Sequence, residues 1–251
     1  RVLHTLPGMA EARIEASLSD GPTNSSYRVN SGGVLYVLRL DKPAAAQLGL
    51  DRHSEQAVAA VVSAAGIGPE TTYFDAASGI SLRRFAAGRS WTPADLSEPD
   101  KLRRLAALLA RLHRQPPAGR PYDPAAAAAR YARQLATRRA LELGERVGQL
   151  QARVAESGPP AVLCHNDLVC ENILQGERLL LIDWEYAGPG DPFFDLAVVI
   201  RHHALDERLA ATLFEAYLGR PANAAEQKRL QLQRTLYQAL LDLWHLRTGE
   251  N

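Results

Sequence analysis

Short segments rich in Tyr, Val and Leu, separated by polar stretches, mark the first third of the chain, and one stretch among them carries its apolar residues at a helical period. Ser26–Val29 and Gly33–Leu40 read as strands, joined by Asn30-Ser31-Gly32-Gly33, the composition of a tight hairpin turn. Ser54–Ala65 carries Val58, Val61, Val62 and Ala65 at helical spacing, with Glu55 in its first turn. Thr71–Phe74 and Ile80–Phe85 predict two further short strands across the turn Asp75–Gly79, and the pattern breaks from Ala86 to Pro93.

Beyond that break the chain reads as helical until residue 160. Ser97-Glu98-Pro99-Asp100 is a start signal, with Ser97 as N-cap and a proline and an acid in the first turn. The helix continues through Leu102, Leu105, Leu108, Leu109 and Leu112 until Pro116. Asp123-Pro124 opens a second helix through Ala125–Leu141, whose alanines favour it. Helices are also expected near Leu196–Ala204, Glu207–Leu218 and Ala224–Arg247. The fold class is therefore α+β, with a small β-rich lobe over 1–85, a connector over 86–90 and a helical lobe over 91–251.

Composition narrows the function classes. The 251 residues are 46% hydrophobic and 23% charged, with a net charge of only +1, values of an ordinary globular protein without a polyanion-binding footprint. Nucleic acid is not an expected partner. The longest apolar runs, such as Ala57–Ile67, fall short of the roughly 20 residues a membrane span needs. The chain starts at Arg1 with neither an initiator Met nor an apolar leader, so a few residues are expected to be missing and a cytoplasmic location follows. Two cysteines, Cys164 and Cys170, suit a reducing compartment rather than a disulfide scaffold. With His165 they lack a second ligand pair, so no zinc site is expected.

The densest chemistry lies in Ala161–Ala197, AVLCHNDLVCENILQGERLLLIDWEYAGPGDPFFDLA. His165-Asn166-Asp167-Leu168-Val169-Cys170-Glu171-Asn172 reproduces the H-x-D-L-x-x-x-N spacing of a kinase catalytic loop, and Asp183 ends the next apolar strand. Phosphoryl transfer asks for a positioned phosphate, a neutralising metal and an oriented hydroxyl. Asp167 would accept or orient the hydroxyl proton. Asn172 and Asp183 would offer oxygen ligands to Mg²⁺, as a hard cation prefers. His165 would brace the loop.

This stretch closely resembles the aminoglycoside phosphotransferase and choline kinase superfamily. Ile182-Asp183-Trp184-Glu185-Tyr186 is similar to the branch containing choline, ethanolamine and thiamine kinases. The resemblance implies a bilobal protein-kinase-like fold with ATP between the lobes, Asp167 as base, Asn172 and Asp183 as magnesium ligands, and Asp195 supporting the loop backbone. Asp20-Gly21-Pro22-Thr23-Asn24-Ser25-Ser26-Tyr27 resembles that branch's phosphate loop, in which Gly21, Thr23, Asn24 and Ser25 would present backbone N–H groups to phosphate. Arg39 takes the place of the strand lysine of protein kinases, where a guanidinium can hold phosphate bidentately, and Glu55 is its natural partner. Leu82–Ala87, including Phe85, would run beside adenine.

The acceptor is expected against the helical lobe. Tyr237 and Trp244 share a helix face and, with Trp184 and Tyr186, could present aromatic faces to a cation. Glu185 would contact either a cationic substrate or the metal shell. A small cationic alcohol of the choline, ethanolamine or thiamine type is the favoured acceptor, an aminoglycoside or aminosugar the alternative. A nucleotide-binding pseudokinase is the alternative of another class. Asp183-Trp184-Glu185 in place of D-F-G, with no A-P-E segment after it, argues against a protein kinase.

Overall fold

The computed structural model describes residues 2–21, 23–43, 50–156, 158 and 160–249; Pro22 of the expected phosphate loop lies outside them. Five strands form one antiparallel sheet: β1 (Arg13–Asp20), β2 (Asn24–Ser31), β3 (Val34–Asp41), β4 (Thr71–Asp75) and β5 (Ile80–Arg84), in the order β1-β2-β3-β5-β4. The β2–β3 hairpin turns at Gly32 and Gly33, whose φ values of 57° and 81° suit the two-residue turn that matches strand twist. β1 was not legible as a strand. It is an edge strand with Ile14 and Leu18 exposed and two irregularities in its register, so it carries no inward apolar alternation. One face of the sheet packs Val29, Leu38 and Leu82 against Leu3, Leu6 and Met9 of the preceding segment.

The helix inserted between β3 and β4 behaves differently. α1 (Arg52–Ala64) is capped by Asp51, which accepts from Ser54 N at 3.0 Å. Its Val58 and Val62, with Ile67 just beyond it, pack into the core of the helical lobe rather than that of the sheet. A backbone bond from Leu181 N to Ile67 O (2.9 Å) ties the end of this segment to the strand that leads to Asp183.

The rest of the chain builds the helical lobe from α2 (Pro93–Leu96), α3 (Pro99–Leu112), α4 (Pro124–Leu135), α5 (Arg138–Ala155), α6 (Pro192–His202), α7 (Glu207–Leu218) and α8 (Ala224–Thr248). Small sheets sit at the site. β6 (Arg89–Ser90), β8 (Ile173–Gln175) and β9 (Leu179–Leu181) form one, and β7 (Val162–Cys164) pairs with β10 (Gly188–Gly190).

Two helix boundaries differ from expectation. Ser97 closes α2, a short helix not anticipated, and Glu98 is the N-cap of α3. The helix expected over 125–141 is two helices. Ala136 is left-handed at φ 51°, and Thr137 caps α5 by accepting from Ala140 N.

Candidate active site

The stretch after β7 is held by one buried carboxylate. Asp195, in the first turn of α6, accepts from His165 N (2.9 Å) and Asn166 N (2.7 Å), one amide to each oxygen. His113, on the last turn of α3, places Nε2 3.0 Å from Asp195 Oδ2, and its Nδ1 meets Tyr217 Oη at 2.8 Å. The brace lets Asn166 hold φ 65°, a conformation that Asn tolerates better than most residues, and its amide donates to Tyr186 O. Asp167 follows directly.

His165 is fully buried and does not face the cleft. Its Nε2 meets Ile182 O at 2.9 Å, and its ring packs on Trp184 with centroids 4.6 Å apart. The histidine thus connects the loop to the residue before Asp183. Ile182 N also donates to Asn172 O, which sets Asn172 and Asp183 on paired segments. Asp183 is itself left-handed at φ 65°.

Asn172 Nδ2 donates to the backbone oxygen of Asp167 (2.9 Å) and to its Oδ2 (3.2 Å). With the amide nitrogen so engaged, the carboxamide oxygen remains as an acceptor, the donor type a hard cation takes. Burial and the charge of Asp183 push the Asp167 carboxyl above the usual carboxylate range. Burial and Asp183 also raise Glu185, against the pull of Arg52. Three carboxyls with little positive charge among them would suit a divalent cation, and the Asn172 carboxamide oxygen and the Asp183 carboxyl are of the donor type such an ion takes.

The opposite side of the cleft carries the reverse imbalance. Glu55 is 1% exposed and receives three guanidinium groups: Arg39 Nη2 at 2.7 Å, Arg52 Nη1 at 2.6 Å and Arg83 Nη2 at 3.0 Å. Burial alone would raise its pKa, but Arg39, Arg83 and Arg52 outweigh it and hold Glu55 at about 2. Arg52 also bonds Asp41 (2.5 Å) and reaches Glu185 at 3.4 Å, an ion pair from the start of α1 to the residue two beyond Asp183. The Arg39–Glu55 contact was legible; Arg52 and Arg83 were missed. Register was the available signal for Arg83, because Ser81 stands opposite Arg39 and Arg83 is two residues along the same face.

Around Gly21 the backbone is held by Lys42, whose Nζ donates to Gly21 O (2.8 Å) and pairs with Asp20 (2.6 Å). Thr23 and Ser25 are buried, Ser25 Oγ donates to Asp20, and Asn24 opens β2 with its amide on Thr23 Oγ1. Phe85 N donates to Leu35 O, and Phe85, Ala86, Ala87 and Leu174 line a cavity of about 350 Å³ at the connector.

A second cavity, of about 320 Å³, opens beside Asp167 and is walled by Tyr122, Tyr131, Tyr186, Tyr237 and Trp244, with Glu185 and His202. Tyr122 and Tyr186 meet edge-on at 6.0 Å, and Tyr131 and Trp244 at 5.7 Å. Of the rings expected here, Tyr186, Tyr237 and Trp244 line the cavity. Trp184 does not: it is 1% exposed and packs against His165 in the core. Tyr122, Tyr131 and His202 were missed. Tyr131 had a signal, as the one ring in the alanine-rich α4. His202 places Nδ1 3.1 Å from Tyr237 Oη.

The phosphotransferase enzyme family matches residues 16–245. The protein LicA of Haemophilus influenzae is 32% identical over 240 residues, which cover 89% of this chain and 70% of that protein. A choline/ethanolamine kinase family protein from Mesorhizobium loti superposes with a TM-score of 0.75 at 26% identity, covering 97% of this chain and 83% of that one. Choline kinase LicA from Streptococcus pneumoniae shares the fold with a TM-score of 0.77 at 21% identity, covering 95% of this chain and 86% of that one.

Proposed function

This chain belongs to the phosphotransferase enzyme family, and on that premise we propose that it moves the γ-phosphate of ATP to the hydroxyl of a small monocation of the choline or ethanolamine type. It is a small-molecule kinase of the bilobal, protein-kinase-like kind, similar to choline and ethanolamine kinases. The observation that carries the acceptor class is the cavity beside Asp167, where aromatic walls adjoin two carboxylates. A desolvated cation over such rings gains about 2 kcal/mol per good face, and a volume near 320 Å³ suits a compact ligand.

In this reading Arg39 holds phosphate oxygens, with Glu55 fixing its fork and the Gly21–Ser25 segment covering the phosphates. Asn172 and Asp183 would hold Mg²⁺, which when bound offsets charge on the transferring phosphate. Asp167 takes the hydroxyl proton as that oxygen bonds to the γ-phosphorus and the bond to ADP breaks. The left-handed Asn166 and the two amide bonds to Asp195 keep Asp167 in place through the transfer. Phe85 and the adjoining connector backbone would border adenine.

The aminoglycoside or aminosugar reading is less well supported. The Arg247 guanidinium lies 4.8 Å from the ring centroid of Tyr131 and 5.2 Å from that of Trp244, and Arg130 lies 5.4 Å from Tyr131. These charges oppose a polycation more strongly than a single cation.

An ADP-release assay with ATP and Mg²⁺ against choline, ethanolamine, thiamine, aminosugars and aminoglycosides tests the proposal. Turnover with choline or ethanolamine is the expected result, and its loss on chelation of divalent metal is expected with it. Turnover confined to aminoglycosides would overturn the acceptor assignment. Nucleotide binding without transfer to any acceptor would favour the pseudokinase.

A further inference from the structure

Behind the acceptor cavity, on another face of the α6–α8 pair, lies a separate cavity of about 220 Å³. Three helices each send one arginine to it: Arg146 from α5, Arg201 from α6 and Arg234 from α8. Only one carboxylate, Asp242, is in its lining.

The arginines are poorly neutralised. Arg201 directs Nε (2.9 Å) and Nη2 (2.5 Å) to Gln238 Oε1, a neutral amide oxygen, and Gln238 passes its own Nε2 proton to Asp242 at 2.7 Å. Arg234 pairs with Glu207, but that carboxylate is 80% exposed and its field is screened by water. The Nε of Arg234 is buried and has no hydrogen-bond partner. Arg146 is exposed and has no hydrogen-bond or ion-pair partner among the described residues.

We propose that this cavity binds a tetrahedral phosphate group, either as inorganic phosphate or on a small phosphomonoester. Arg146 brings an unengaged guanidinium fork, Arg201 keeps Nη1 beyond its two bonds to Gln238, and Arg234 keeps its buried Nε beyond its two bonds to Glu207; directed N–H donors of this kind suit such an oxyanion better than the point charges of ammonium groups. The volume admits phosphate with a short substituent and is too small for a nucleotide. Asp242 adds a place for an ammonium on that substituent. The site is independent of the transfer reaction, since no residue assigned to phosphate, metal or acceptor binding lines it. Its neighbours in sequence do: His202 follows Arg201 and Tyr237 precedes Gln238, and both line the acceptor cavity.

Isothermal titration of the full chain with inorganic phosphate, repeated with phosphocholine and phosphoethanolamine, tests the site without measuring turnover. One equivalent should bind with the wild type. Arg146→Ala, a change at an exposed side chain, should weaken binding at least fivefold, and Arg201→Met should do the same. Prior saturation with AMP-PNP and Mg²⁺ should leave the affinity unaltered. A tighter phosphomonoester would name the ester as the source of the phosphate, and a tighter inorganic phosphate the free ion; both support the site. No binding, binding that Arg146→Ala leaves intact, or binding displaced by AMP-PNP would overturn it.

Discussion

Glu55 and Asp195 are both carboxylates withdrawn from water, and they are satisfied in opposite ways. Glu55 meets three guanidinium groups, whereas Asp195 meets two backbone amides and a histidine. The first arrangement keeps positive charge in excess: Arg39, Arg52 and Arg83 stand against Glu55 and Asp41. The second adds no fixed cation next to Asp167, Asp183 and Glu185, so negative charge accumulates there. The cleft is thus polarised, positive on the sheet side and negative on the helical side. One carboxylate organises charge, and the other organises backbone.

The largest test of this division removes the group that the backbone brace serves. Asp167→Ala should lower kcat by more than about 10³-fold, while ATP–Mg²⁺ binding, followed by thermal shift, stays near the wild-type value. Near-normal turnover in that variant would unseat Asp167 as the base. Asp195→Asn should come next. It turns an amide donor toward a backbone donor in a dry site, so denaturant unfolding should show a loss of about 4 kcal/mol, accompanied by a fall in turnover. A loss below about 1 kcal/mol would mean that the brace contributes little.

Acid titration probes the other carboxylate. The folded pKa of Glu55, about 2, lies below its ordinary 4.5. Its contribution is therefore complete above pH 4.5 and fades as the pH falls toward 2. The difference corresponds to about 3 kcal/mol. Denaturant unfolding between pH 5 and pH 2 should show this decline in the wild type, and Glu55→Gln should flatten it. An unchanged slope in the variant would show that other acids carry the effect. The smallest expected effect is at the Arg52–Glu185 pair. A double-mutant cycle of Arg52→Ala with Glu185→Gln should give a coupling below about 1 kcal/mol, given the 3.4 Å separation. The Arg52→Ala and Glu55→Gln pair should couple more strongly.

Much of this arrangement was legible because its signals are local. The β2–β3 hairpin was announced by Asn30–Gly33, α7 and α8 were expected to within a residue of their bounds, and the H-x-D-L-x-x-x-N spacing drew attention to the segment that Asp195 and Asn172 hold. What was missed is mostly non-local or lacks a marker. Tyr122, Tyr131 and His202 reach one cavity from separate segments, and Arg83 reaches Glu55 only once the helix has packed against the sheet; Arg52, three residues before Glu55 on the same helix, was a local signal left unread. Ala136 breaks a helix without a glycine to announce it. Trp184 misled for a different reason. A ring beside a conspicuous aspartate reads as a pocket wall, yet Trp184 is buried while Asp183 stays partly exposed, and the indole is spent on packing His165.

The placement of α1 has a mechanical consequence. By sequence it is an insertion in the sheet, but its apolar face and the Leu181–Ile67 bond attach it to the helical body. A rocking motion of the sheet would therefore proceed against α1, with the helix as part of the anvil. Glu55 sits on the fixed side of that boundary, and Arg39 and Arg83 on the moving side. In any such motion the carboxylate would be the notch that two strands share, because Arg39 and Arg83 both meet it.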